Sequence, residues 1–206
     1  MPYEIFQRIR ETYENRSFQG QVPEEAKVFI IGIDANYDAN MSDDFYDILT
    51  NYHQNGAIYW LNNWQNNNSN DHHPFLLPAY GQQAGYQYHC NFRRMNLPAN
   101  TCADAISFFE LLNVPTSGKR TDDPNGLFQQ LLHYSLAQGH IRRLRSLLFT
   151  GRNKRIFMSN EVIEILRKIN GQAGIVNRLR NTREPARNLP DIYTDDANNI
   201  ITGVCT

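Results

Sequence analysis

Lys27-Val28-Phe29-Ile30-Ile31-Gly32-Ile33 is a short continuous apolar run, rich in β-branched residues, that ends at Asp34. A run that is apolar on both faces suits a central parallel strand covered by helices on both sides. Upstream, Tyr3 to Tyr13 sets Ile5, Phe6, Ile9 and Tyr13 at helical spacing, until Gly20 and Pro23 interrupt the pattern. Downstream, Ser42 and Asp43 can cap a helix that puts Phe45, Ile48, Leu49 and Tyr52 on one face and ends at Asn55-Gly56. The stretch from about 60 to 88 is aromatic and rich in Asn, Gln and Gly, so it is expected to form an irregular, ordered, functional loop.

Three further strands are expected at Ala105–Leu112, Arg155–Met158 and Asn199–Val204. Between them lie helices that bury Leu127, Leu131, Leu132 and Leu136, then run from Ile141 to Phe149, then carry Val162, Ile163, Leu166 and Ile169 behind a Ser159 cap. Strands alternating with helices give an α/β fold. The expectation is a single domain over 1–206 with a central four-stranded, mainly parallel sheet flanked by helices and with ligands at the strand C-terminal ends.

The chain has 206 residues, 41% of them hydrophobic and 20% charged, and a net charge of −1. That balance argues against binding nucleic acid through a broad positive field. Residues 1–100 hold 6 Lys or Arg against 11 Asp or Glu, whereas residues 101–206 hold 14 against 10, which allows a local basic face in the second half. Charges throughout residues 1–15 exclude a signal peptide or membrane span there. Cys90, Cys102 and Cys205 have no paired spacing, so neither a disulfide framework nor a zinc site is expected, and a cytoplasmic location fits.

Asp34 lies where an α/β sheet opens into its ligand crevice, although aspartate there also serves as a turn former or helix cap. Gly32-Ile33-Asp34-Ala35-Asn36-Tyr37 resembles the first motif of the uracil-DNA glycosylase superfamily, a strand ending in Gly-x-Asp-Pro-Tyr or Gly-x-Asn-Pro-Gly. Tyr88-His89-Cys90-Asn91-Phe92 is similar to the Asn-Arg-Phe-Trp helix start of its mismatch-specific uracil/thymine branch. Glu110-Leu111-Leu112-Asn113-Val114-Pro115-Thr116 resembles both that branch's Pro-Thr strand end and the Leu-Leu-Asn of the uracil-specific branch. The passage from Ile156 to Leu166 is a fourth similarity, and the four occur in the family's order. Ala35 stands where proline is usual, and the closing His-Pro-Ser or Asn-Pro-Ser motif has no counterpart after Val204.

The resemblance implies a DNA glycosylase-like hydrolase of base excision repair that cleaves the N-glycosidic bond of a damaged or deaminated base. DNA containing that base, or a free nucleobase compound, would be its partner, and it would need neither metal nor redox cofactor. Asp34 would be catalytic. Asn36 and Asn113 would read the base edge, Tyr37, Phe75 and Phe92 would stack, and His89 would donate to developing charge. Arg142, Arg143 and Arg145 would contact phosphates, as would Arg152, Lys154 and Arg155 or Arg178, Arg180, Arg183 and Arg187, unless these are solvated faces. Two rivals stay open: a non-catalytic nucleic-acid or nucleobase-binding protein, and a hydrolase of free nucleosides. His72-His73-Pro74-Phe75 belongs in an ordered loop, with a metal role disfavoured by its spacing.

Overall fold

The computed structural model describes residues 1–67, 71–94, 103–149 and 154–169, with the strand backbones at 180–181, 192–194 and 200–204. In chain order the strands are β1 (Glu4–Ile5), β2 (Phe18–Gly20), β3 (Val28–Gly32), β4 (Asn36–Tyr37), β5 (Ile106–Glu110), β6 (Thr116–Ser117), β7 (Arg155–Ser159), β8 (Arg180–Asn181), β9 (Ile192–Thr194) and β10 (Ile200–Val204). The α-helices are α1 (Arg10–Asn15), α2 (Asp43–Asn67), α3 (Tyr86–Arg93), α4 (Leu127–Ala137), α5 (His140–Phe149) and α6 (Asn160–Lys168). Among the described residues no helix is long and apolar enough to cross a membrane.

The architecture is mixed α/β with two mixed sheets, larger than the expected four strands. Seven strands run in the order β2-β5-β3-β7-β10-β9-β8. The four strands expected from sequence form only its parallel centre, since β3 pairs in parallel with β5 and β7, and β7 with β10. Antiparallel β2 closes one edge, and β9 and β8 extend the other. The added strands are short, and such segments carry too little periodicity to stand out in a sequence.

The central strands send alternate side chains to opposite faces. Phe29, Ile31, Phe109, Ile156 and Met158 point into an aliphatic layer with Leu131, Ile141, Leu144, Leu148, Val162 and Leu166 from α4, α5 and α6. Each fully buried side chain of this kind contributes about 1.5–3 kcal/mol. Asp123 accepts from the backbone N–H groups of Leu127 (2.8 Å) and Phe128 (2.9 Å) to start α4, and Ser159 caps α6 by accepting from Val162 N–H (3.2 Å). Ile30, Ile106 and Phe108 face the other way, against Trp60 of α2 and Phe92 of α3.

Two local expectations are corrected. Residues 3–13 are not one helix: β1 leads into a 3-10 turn at Gln7–Ile9 and then α1, because Glu4 and Ile5 pair with Ser117 and Thr116. The helical segment that starts at Asp43 does break at Asn55, but a second segment continues beyond it, so 60–67 is helix rather than loop. The chain bends at Asn55 (φ −134°, ψ 37°), and Gly56 then lies on the β2 backbone, where a Cβ would come within 2.7 Å of Gly20 N. Glycine there lets the chain pass close to the strand just after the break.

Candidate functional site

The three-stranded sheet β1-β6-β4 caps the C-terminal ends of β3 and β5. It forms because the two chains stay together beyond the strands: Leu111 and Leu112 N–H donate to the carbonyls of Gly32 and Ile33, and Thr116 N–H donates to that of Ala35 (2.9 Å). Antiparallel β1 then delivers Tyr3. As a result Asp34 Oδ2 accepts from Tyr3 Oη (2.7 Å) and Thr116 Oγ1 (2.8 Å), two donors that fix the carboxylate. Burial, then the Asp34 charge, raise the Tyr3 pKa, so its proton stays in place to donate.

Asp34 lines a cavity of about 530 Å³ at the ends of β3, β5 and β7. Asn36, Tyr37, Phe75, His89 and Phe92 line the same cavity, so the structure brings together six of the residues singled out from sequence. Asn36 is locally committed, since its Nδ2 donates to Thr116 Oγ1 (3.2 Å) and to the Gly118 carbonyl (3.0 Å). Phe75 stacks on Tyr80 with centroids 4.3 Å apart, and Phe92 meets His72 edge-on at 4.4 Å.

Asn113 and the arginines of α5 lie elsewhere. Asn113 Oδ1 accepts from Ser135 Oγ (2.8 Å), and its own N–H donates back to that hydroxyl (3.1 Å), which ties the end of β5 to α4. None of Arg142, Arg143 and Arg145 is among the cavity-lining residues, and Arg143 pairs with Glu24 at 2.9 Å. Lys154 donates to the Leu147 carbonyl (2.5 Å). Arg152, Arg178, Arg183 and Arg187 lie outside the described residues, and of Arg180 only the strand backbone is described.

Beneath the cavity runs a buried polar chain. Phe75 N–H donates to His73 Nδ1 (3.1 Å), which assigns the His73 proton to Nε2 and makes it the donor to Gln19 Oε1 (2.9 Å). Gln19 Nε2 donates to Tyr37 Oη (3.3 Å), and that hydroxyl in turn donates to His53 Nε2 (2.6 Å). The chain ends at His53 Nδ1, buried with no hydrogen-bond partner among the described residues. His89 stacks on His73 at 3.7 Å and pairs with His72 through Nδ1 (3.0 Å). Burial holds these rings neutral, lowering His53 to about 3 and His73 and His89 well below the usual value. Among the described residues no three His, Cys, Asp or Glu side chains converge as a metal site.

Glu110, the last residue of β5, is a site residue to which the sequence reading gave no role. It pairs in register with Gly32 and is 9% exposed. A Cβ built on Gly32 would fall on the Glu110 carboxyl, so the glycine of Gly32-Ile33-Asp34 makes room for this acid. Its Oε2 is buried with no hydrogen-bond partner among the described residues, as is the hydroxyl of Tyr88 on the same cavity wall. Burial, and then the Asp34 charge, push the Glu110 pKa well above the usual carboxylate range, so it stays protonated. The available signal was a lone carboxylate in the otherwise uncharged strand Ile106-Ser107-Phe108-Phe109-Glu110.

Searches of family models, of curated proteins and of solved structures find no match to this chain.

Proposed function

We propose that this chain hydrolyses the N-glycosidic bond of a damaged or deaminated base, as the uracil-DNA glycosylases that its motifs resemble do. The observation that carries the reading is Asp34, a carboxylate fixed by Tyr3 and Thr116 on the wall of a cavity that also presents Phe75, His89 and Phe92. About 530 Å³ lies within the range of about 300–1,000 Å³ usual for small-molecule sites, enough for a base and its sugar.

Breaking the bond between base and sugar develops positive charge on the sugar. Both donors to Asp34 reach Oδ2. Oδ1 then orients the attacking water and faces the cationic sugar, a pre-set charge that needs no rearrangement during the reaction. The aromatic rings supply faces against which an extruded base stacks.

A second reading, hydrolysis of a free nucleoside, is favoured by the charge around the cavity. Among its described lining residues Arg120 is the one Lys or Arg, and it pairs with Glu161 at 2.6 Å, which leaves little to hold a phosphate backbone.

The test is release of base from uracil-, hypoxanthine- and mismatch-containing oligonucleotides and from free nucleosides, by wild type and Asp34→Asn. Asp34→Asn is expected to lower kcat by at least about 100-fold. Undiminished release by Asp34→Asn removes the catalytic assignment. DNA binding without any release points to a non-catalytic binding protein, and activity on nucleosides alone selects the second reading.

A further inference from the structure

We infer that Glu110 is the general acid of this site, protonating the base as it leaves, and that the substrate is therefore a purine-type N-glycoside whose base departs with a proton on a ring nitrogen. This rests on the glycosidic reading above and assigns the second carboxyl of the same cavity.

Two carboxyl groups stand on neighbouring strand ends in opposite circumstances. Asp34 takes two hydrogen bonds on one oxygen, as an acceptor does. Glu110 has a buried Oε2 with no partner among the described residues, faces the same cavity, and sits over Gly32, where no side chain intervenes. The groups around it are Asp34 beyond β3, Tyr13 on α1, Tyr37 on β4 and Tyr88 on α3, while His140 on α5 meets its backbone carbonyl (2.8 Å). Burial raises the pKa of all three phenols, so none of them is an anion that accepts the Glu110 proton. A carboxyl held by two donors and a neighbouring one whose buried oxygen has no partner among the described residues suit the roles of base and acid.

In the step that follows, the C1′–N bond breaks with its electron pair going to the base, and the Glu110 proton moves to a base ring nitrogen. Water adds to C1′, and its proton passes to Asp34. Transfer of that proton back to Glu110 through solvent restores the site, so the net change is one water consumed per bond cleaved. A purine has a basic ring nitrogen beside the glycosidic position that can take this proton. A pyrimidine such as uracil leaves instead as an anion spread over its carbonyls.

The experiment compares inosine with 7-methylinosine, each as the free nucleoside and within an oligonucleotide, for wild type, Glu110→Gln and Asp34→Asn. A 7-methylated purine leaves as a neutral base without being protonated. Glu110→Gln keeps the size and neutrality of the side chain but has no proton to give, so it is expected to lower kcat on inosine by about 10²–10⁴-fold, with KM little changed. On 7-methylinosine the same substitution should cost a far smaller factor, whereas Asp34→Asn should harm both substrates alike. Equal losses for Glu110→Gln on the two substrates, or no loss on either, overturn the acid assignment. If Asp34→Asn still abolishes release in that case, the glycosidic reading survives. Wild type inactive on both compounds in both forms overturns the assignment and the purine class together.

Discussion

The two faces of the central sheet are packed by different chemistry. On one, α4, α5 and α6 lay Leu, Ile and Val against Phe29, Ile31 and Met158, an apolar layer in which the His140 ring stacks on Phe109. On the other, α2 brings Trp60 and His53, α3 brings Phe92 and His89, and the segment between them brings His72 and His73; hydrogen bonds join His53 to His73 through Tyr37 and Gln19, and His72 to His89. The first face can relax around a lost methyl group. The second has fixed donors and acceptors, and an unpaired one costs its full desolvation. The cavity opens among the polar chain, where a ligand can be oriented, rather than in the aliphatic layer.

The largest test of this contrast is pH. His53, His73 and His89 on the polar face all have depressed folded-state values, with His53 at about 3. Their contribution is fully present above the unfolded value of about 6.5 and is lost as pH falls from there toward about 3, because the unfolded chain binds the protons. Each such histidine therefore lowers stability as the pH falls below about 6.5. Glu110 acts with the opposite sign, since its raised value gives stability at low pH that fades as pH rises through it. With three histidines against one carboxyl, urea unfolding at pH 7.5, 6 and 5 should show stability dropping steeply. A flat profile would mean that the rings are not held neutral.

Next in size is Leu144→Ala, in the aliphatic layer at 0% exposed, which should cost about 2–5 kcal/mol in urea unfolding while leaving the acid sensitivity intact. A steeper or shallower pH profile in that variant would show that the faces are coupled. The smallest effect is expected from Tyr37→Phe, which removes one hydroxyl between Gln19 and His53 and should cost about 1–3 kcal/mol. No measurable loss would mean that water substitutes for that hydroxyl.

Much of the fold was legible because its strands are written as apolar runs. The four parallel strands, α4, α5 and α6 all announced themselves by periodicity and by caps such as Ser159. The N-terminal segment did not, because Tyr3 to Tyr13 has helical spacing yet Glu4 and Ile5 are claimed by pairing with β6. Asn55-Gly56 marked the break correctly, but the second helical segment beyond it, with Gly56 lying close on β2, was read as loop. In the site, Asp34, Tyr37, Phe75, His89 and Phe92 were singled out from sequence, whereas Gln19 sits in ordinary strand sequence and Glu110, though it opens a motif-like stretch, was given no role there. Asn113 matched a motif by spelling, yet Ser135, 22 residues away, holds its amide.

The sequence by itself determined the parallel core and the position of Asp34 at a strand end, since hydrophobic periodicity and turn residues act over a few neighbouring positions. Only the tertiary structure decided what surrounds that carboxylate: Tyr3 from the first strand, Thr116 from beyond the fifth, and Glu110 over Gly32. Tyr3, Thr116 and Glu110 are 31, 82 and 76 residues from Asp34 in the chain, and their effect on charge comes from burial and distance, which only the folded chain sets.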